Sequence, residues 1–214
     1  MGCFAAGCLS VIAVVAFLAI VCGVGGWFLY SKAIDMFTSD QPANVVIEQS
    51  NDIAYQSAKN AMARLGSAIS RNESTTITLT AADVNALISR DPGFAEFRGK
   101  ARVNIEDSVI TLETSAPLDR VPLPKLKGRW INGTASGSFS YALGQFVFAI
   151  KSATAGYNEF PESILRGFTP SFNKSFNDGF RKGMQDNPQT ESFWKHIKTI
   201  SIEGDKIVVT TQQI

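Results

Sequence analysis

The sequence predicts an α+β fold: a mainly antiparallel sheet of about seven strands packed against three or four helices, hung from a single N-terminal transmembrane helix. Three observations carry this expectation. Residues 1–31 contain no charged side chain. Beyond Arg98, β-branched and aromatic residues alternate in paired runs separated by hairpin-sized breaks. Two other stretches, 45–70 and 160–184, carry apolar residues at three- and four-residue steps, which is the helical period.

The anchor comes first. From Phe4 to Tyr30 the chain is almost wholly apolar, and as a helix rising 1.5 Å per residue it would reach roughly 40 Å, more than the roughly 30 Å hydrocarbon core. A cleaved signal peptide fits less well, because no basic n-region precedes the apolar run and the run is too long for an h-region. Trp27, Phe28 and Tyr30 suit the aromatic belt at the lipid boundary. Lys32 is the one nearby basic residue and, read literally, favours a cytoplasmic domain. An anchor with so short an N-terminal tail most commonly exports the domain attached to it, so the expected placement is single-pass with the domain extracytoplasmic.

Composition narrows the rest. Twenty basic and nineteen acidic residues nearly cancel, so no strong field favours nucleic acid, and a dedicated nucleic-acid binder is not expected. Cys3, Cys8 and Cys22 all lie within or just before the apolar run. The soluble part therefore has no disulfide, thiolate nucleophile or Cys-based zinc site.

Beyond the anchor (1–31), the order reads as a connector (32–44), an amphipathic helix (45–72) and an α+β domain (73–214). The connector holds Asp35, Asp40 and the Gln41-Pro42 pair, which break continuation of the anchor. The helix is rich in alanine on its apolar face (Ala54, Ala58, Ala61, Ala68), implying close approach to a neighbour: its own core or, by self-association, a second copy of the chain. Thr75 to Leu79 alternates as a strand, and Thr80 with Asp83 forms a capping box opening a short helix to about Ser89. Asn85 within it is expected to tie the helix to nearby backbone. Three hairpins come next, Ala101–Ile105 with Val109–Thr114, Gly128–Ala142 with Gln145–Ala155, and Lys198–Glu203 with Lys206–Thr211. Between them Phe160, Ile164, Phe168, Phe172, Phe176, Phe180 and Met184 recur at every fourth residue. Thr169-Pro170 looks like a cap and first residue, predicting two helices bent near Gly167 to Pro170.

Catalysis has little to work with. His196 is the only histidine, and the Gly133 to Gly137 run reads Gly-Thr-Ala-Ser-Gly, not a nucleophile elbow. His-based metal chemistry lacks a second ligand of that type, and no cofactor is expected. Two sets of residues remain as candidate sites. Phe168, Phe172, Phe176 and Phe180 either line a seat for an apolar ligand or are core. Arg98, Lys100 and Arg102, and likewise Lys125, Lys127 and Arg129, fall at alternate positions, so each trio would share one strand face as a patch for headgroups or another anion, unless it is simply a solvated face. Small residues four apart in the anchor, Ala19 with Gly23 and Cys22 with Gly26, offer a self-association contact. Asn72, Asn132 and Asn173 head glycosylation sequons.

The order of these features, with Leu79-Thr80-x-x-Asp83-x-Asn85-x-Leu87 opening a helix, Phe160-Pro161 opening another and a closing hairpin through Gly204-Asp205, resembles bacterial membrane-anchored envelope domains of the YpmS-like and LmeA-like kind. The resemblance implies a non-enzymatic extracytoplasmic module handling lipids. The first expectation is thus a tethered module binding a lipid or other apolar ligand. The alternative is a structural or interaction subunit of a membrane complex, which recruits a partner through the 45–70 helix or an open sheet edge.

Overall fold

A computed structural model describes residues 34–43, 45, 51–119, 126–156 and 158–214. The expected anchor lies outside them, as do Lys32 and Lys125; among the described residues no helix is long and apolar enough to cross a membrane.

The fold is α+β, with a mainly antiparallel sheet of eight strands. In chain order the elements are α1 (Ile34–Phe37), α2 (Asp52–Ser70), β1 (Thr76–Thr80), α3 (Ala81–Arg90), a 3-10 helix (Pro92–Phe97), β2 (Ala101–Glu106), β3 (Val109–Pro117), β4 (Trp130–Ala142), β5 (Gln145–Ala155), β6 (Asn158–Glu159), α4 (Glu162–Gln185), α5 (Pro188–His196), β7 (Ile197–Glu203) and β8 (Lys206–Thr211).

The 13-residue β4 is the axis. Along one edge its first half pairs with β3, from Pro117 opposite Trp130 to Ile110 opposite Gly137. Its last two residues pair with β7, Tyr141 opposite Ile200 and Ala142 opposite Thr199. The β2–β3 and β7–β8 hairpins therefore share one edge and meet tip to tip, where Ser108 N donates to Gly204 O (2.8 Å) and Gly204 N to Ser108 Oγ (2.9 Å). The other edge of β4 takes β5 along its length, with a bulge between Ser136 and Gly137. Gly137 is needed there, because a Cβ would collide with the Ala149 carbonyl. β8 then adds β1, Ile77 opposite Val209.

Alternation assigns the two faces. Leu79, Ile77, Val209, Ile200, Tyr141, Ala135, Leu112 and Val103 turn into one core. Thr76, Thr78, Thr210, Thr199, Ser201, Ser138, Ser136 and Thr111 occupy the intervening, outward positions. Helix α2 packs on α3, β1 and β8, burying Ala54, Ala58, Ala61, Leu65 and Ala68. The predicted capping box is present, with Thr80 Oγ1 accepting from Asp83 N (3.2 Å) and Asp83 Oδ2 accepting from Thr80 N (2.8 Å).

Two expectations about helices change. The aromatic stretch is one 24-residue helix, α4, running through Pro170. The carbonyl that loses its donor there belongs to Arg166. Arg166 and Pro170 both lie on the exposed side, where water can take the lost bond. Thr169 does not cap a second helix; its hydroxyl donates back to Leu165 O (2.7 Å). The break comes at Asp186–Asn187 instead, where the Asn187 side chain accepts from Gln189 N and Thr190 N and opens α5.

Candidate functional site

The aromatic residues of α4 face β5. Both elements are amphipathic, with periods of about four and two respectively, so their apolar rows meet: Phe172 and Phe176 sit either side of Phe148 (5.2 and 4.8 Å between ring centroids). Phe176 and Phe180 likewise bracket Phe146 (5.2 and 5.1 Å). These four contacts are edge-to-face, which the aromatic quadrupole favours. Phe168 stacks on Phe172 (5.7 Å), and Phe180 meets Trp194 of α5 edge-on (5.0 Å). Phe172 is buried, at 6% exposure, whereas Ile164, Phe168, Phe176, Phe180 and Met184 are only partly buried, as are Phe139 and Ile150 on the same side of the sheet. The four phenylalanines thus belong together, in a row packed at its base and open along its rim.

What holds α4 in place is not burial alone. Asn173 Oδ1 accepts from Phe148 N and its Nδ2 donates to Phe148 O (2.8 and 2.9 Å). Asn177, one turn on, does the same to Phe146 (2.8 and 2.8 Å). Two side-chain amides therefore act as a substitute strand along the edge of β5 that β6 does not reach. Asn85 of α3 treats β2 in the same way, donating to Val103 O (2.7 Å) and accepting from Val103 N (2.8 Å). The tie expected of Asn85 is present. The roles of Asn173 and Asn177 were not foreseen, although asparagines four apart inside a helix, where they are poor helix formers, were a usable signal.

At the depth of this cluster, Trp194 is 2% exposed and its Nε1 has no hydrogen-bond partner among the described residues; the Phe180 ring lies perpendicular to it. Burial pushes the Tyr141 hydroxyl above its ordinary value. His196 closes α5, buried, with Nδ1 bonded to Ser192 O (2.8 Å).

The basic trios are not laid out as alternation predicts. β2 begins at Ala101, so Arg98 and Lys100 lie in the preceding turn and only Arg102 is on a strand, opposite Glu113. Arg98 is turned back onto the carbonyls of Arg90 and Asp91 (2.9 and 3.3 Å), which end α3. The positive φ of Gly99 (68°) reverses the chain between them. Likewise Lys127 and Arg129 precede β4, which begins at Trp130. Arg129 is an organising residue: its guanidinium donates to Asp40 Oδ1 (2.6 Å), Thr38 Oγ1 (2.8 Å) and Thr38 O (3.3 Å).

Arg129 thereby fastens the segment read as a connector. Ser39 and Trp130 exchange backbone bonds (2.8 and 2.7 Å), Ala43 N donates to Asn132 Oδ1 (2.9 Å), and Asn158 Nδ2 donates to Met36 O (2.6 Å). Phe37 stacks on Phe160 (4.8 Å, 8° between planes). Residues 36–43 are thus an integral part of the sheet's end. They border an open recess of about 700 Å³ shared with Arg129, Asn132 and Gly156. The sequon asparagines are engaged as well: Asn72 with the backbone of Ile214, Asn132 with Ala43 and Gln41, and Asn173 with Phe148.

Among the described residues no group of three or more His, Cys, Asp or Glu is placed to hold a metal ion. Comparison of the chain with protein-family models, curated proteins and solved structures finds no match.

Proposed function

We propose that the chain is a membrane-tethered, extracytoplasmic and non-enzymatic module whose aromatic helix face holds an apolar ligand of the lipid class. The observation that carries this reading is the rim of the α4 row: Ile164, Phe168, Phe176, Phe180 and Met184 remain partly exposed beside Phe139 and Ile150. A row of that kind gains about 25 cal/mol for each Å² of apolar area that a ligand covers. The opposite side of α4 is charged, with Glu162–Arg166 and Lys174–Asp178 pairs one turn apart, so the helix has one face for water and one for something apolar. The apolar run of residues 4–30 adds a tether that keeps this face near lipid.

The alternative, an interaction subunit, loses part of its means: the edges of β2 at Val103 and of β5 at Phe146 and Phe148 are already taken by asparagine amides. Native mass spectrometry of the full chain released from mild detergent tests the proposal. A one-to-one lipid adduct is expected, lost in Phe168→Asp. An intact chain carrying no adduct would remove the lipid reading, and a polypeptide that co-purifies and is lost with the same substitution would favour the interaction subunit.

A further inference from the structure

The described chain begins at the same end of the sheet at which α4 begins. Phe37 stacks on Phe160, Met36 O is held by Asn158, and Ser39 is bridged to Trp130 at the start of β4. The fit is close: a Cβ on Gly156 (φ 60°) would stand 3.0 Å from Met36 O. From there α4 runs antiparallel to β5, since Asn173 reaches Phe148 and Asn177, further along, reaches Phe146. Phe180 and Met184 therefore lie at the opposite end, where Phe180 meets Trp194.

On the tether reading above, chain length bounds how far this end stands from the membrane. Tyr30 closes the apolar run, and the residues from there to Met36 span at most about 20 Å even when fully extended. The row from Ile164 to Met184 extends about 30 Å by helical rise. That equals the whole hydrocarbon core and is twice the depth of one leaflet, so a single acyl chain fits along it.

Resting on the lipid reading above, we propose that the row has a direction: a bilayer phospholipid enters it tail-first from the Ile164–Phe168 end. The terminal methyl points toward Phe180 and Met184. The polar head stays at the open recess bordered by Met36, Thr38, Arg129 and Asn132, at the end of the sheet where Phe37 stacks on Phe160 and α4 begins.

Photocrosslinking of the full chain in phosphatidylcholine nanodiscs tests this. Two preparations carry phosphatidylcholine with a diazirine either near the acyl carboxyl end or at the acyl methyl end, and labelled peptides are mapped by mass spectrometry. The carboxyl-end probe should label residues 160–168 several-fold more than 176–184, and the methyl-end probe the reverse. An inverted pattern, or equal labelling by both probes, overturns the tail-first direction while leaving a lipid on the row. Absence of both labels from 160–184, with residues 4–30 labelled as the internal control, overturns the lipid reading together with it.

Discussion

Helices α2 and α4 solve the same packing problem with opposite side chains. On α2 the buried set is Ala54, Ala58, Ala61, Leu65 and Ala68, small enough for the helix to close on α3, β1 and β8. On α4 only Leu165 and Phe172 are buried; Phe176 and Phe180 mesh with Phe146 and Phe148, and with Ile164, Phe168 and Met184 they stay only partly buried. Small residues seal a contact; large ones anchor a helix and leave apolar area over. The difference separates a helix that completes the core from one that retains something to offer.

Five substitutions probe that contrast. The largest effect is expected within α4 itself. Phe172→Ala should cost about 3–5 kcal/mol, as for a buried aromatic, whereas Phe168→Ala, from the open part of the row, should cost below about 1 kcal/mol. Urea unfolding of the full chain in detergent, followed by tryptophan fluorescence, reads both. Equal costs would mean that the row is uniformly core.

Next comes enlargement on either helix. Ala58 is completely buried, so Ala58→Leu should destabilise by about 1–3 kcal/mol through overpacking. A Cβ at Gly179 meets nothing within 4 Å, so Gly179→Ala should instead stabilise α4 by up to about 1 kcal/mol, the ordinary helix-propensity gain. Thermal melts showing the same sign for both would erase the distinction between a sealed and an open helix.

The last substitution is Asn173→Leu. It leaves the N–H and carbonyl of Phe148 unpaired at a partly buried edge, costing about 1 kcal/mol for each group, the lower end of the range. The more telling readout is association. With the substitute strand gone, the β5 edge becomes available to another chain, and analytical ultracentrifugation should show more self-association than the native chain gives. A monodisperse variant would show that α4 is held by its rings alone.

Period-two alternation made most of the sheet readable in advance. The three hairpins appear with turns at Asp107–Ser108, Leu143–Gly144 and Gly204–Asp205, and β1 and α3 are arranged as the Thr80–Asp83 box requires. These features are local, so a short window of residues contains their cause. Alternation failed at Arg98 and Lys100 because two charges two apart carry no information on where a strand starts; the Gly99 reversal decides that. Pro170 misled because proline's penalty depends on which face of the helix it occupies, and that is a tertiary fact. The candidate site was half legible. Four-residue spacing placed Phe168, Phe172, Phe176 and Phe180 on a helix, but their division into packed base and open rim depends on Phe146 and Phe148, which lie on a different element. Residues 36–43 read as a loose link because their bonds to Trp130, Asn132 and Asn158 join positions about a hundred residues apart, beyond any local pattern.

The pairing of β1 with β8 bears on how the chain is made. Thr75 N and Thr211 Oγ1 are bonded (2.8 Å) across 136 residues. At ribosomal speeds of about 5–20 residues per second, β1 therefore waits on the order of ten seconds for its partner. Through that interval the apolar sides of Ile77 and Leu79, both buried in the finished fold, lack the strand that completes their sheet. Synthesis order thus leaves the apolar side of the α2–β1–α3 unit without its β8 neighbour while the rest of the polypeptide emerges.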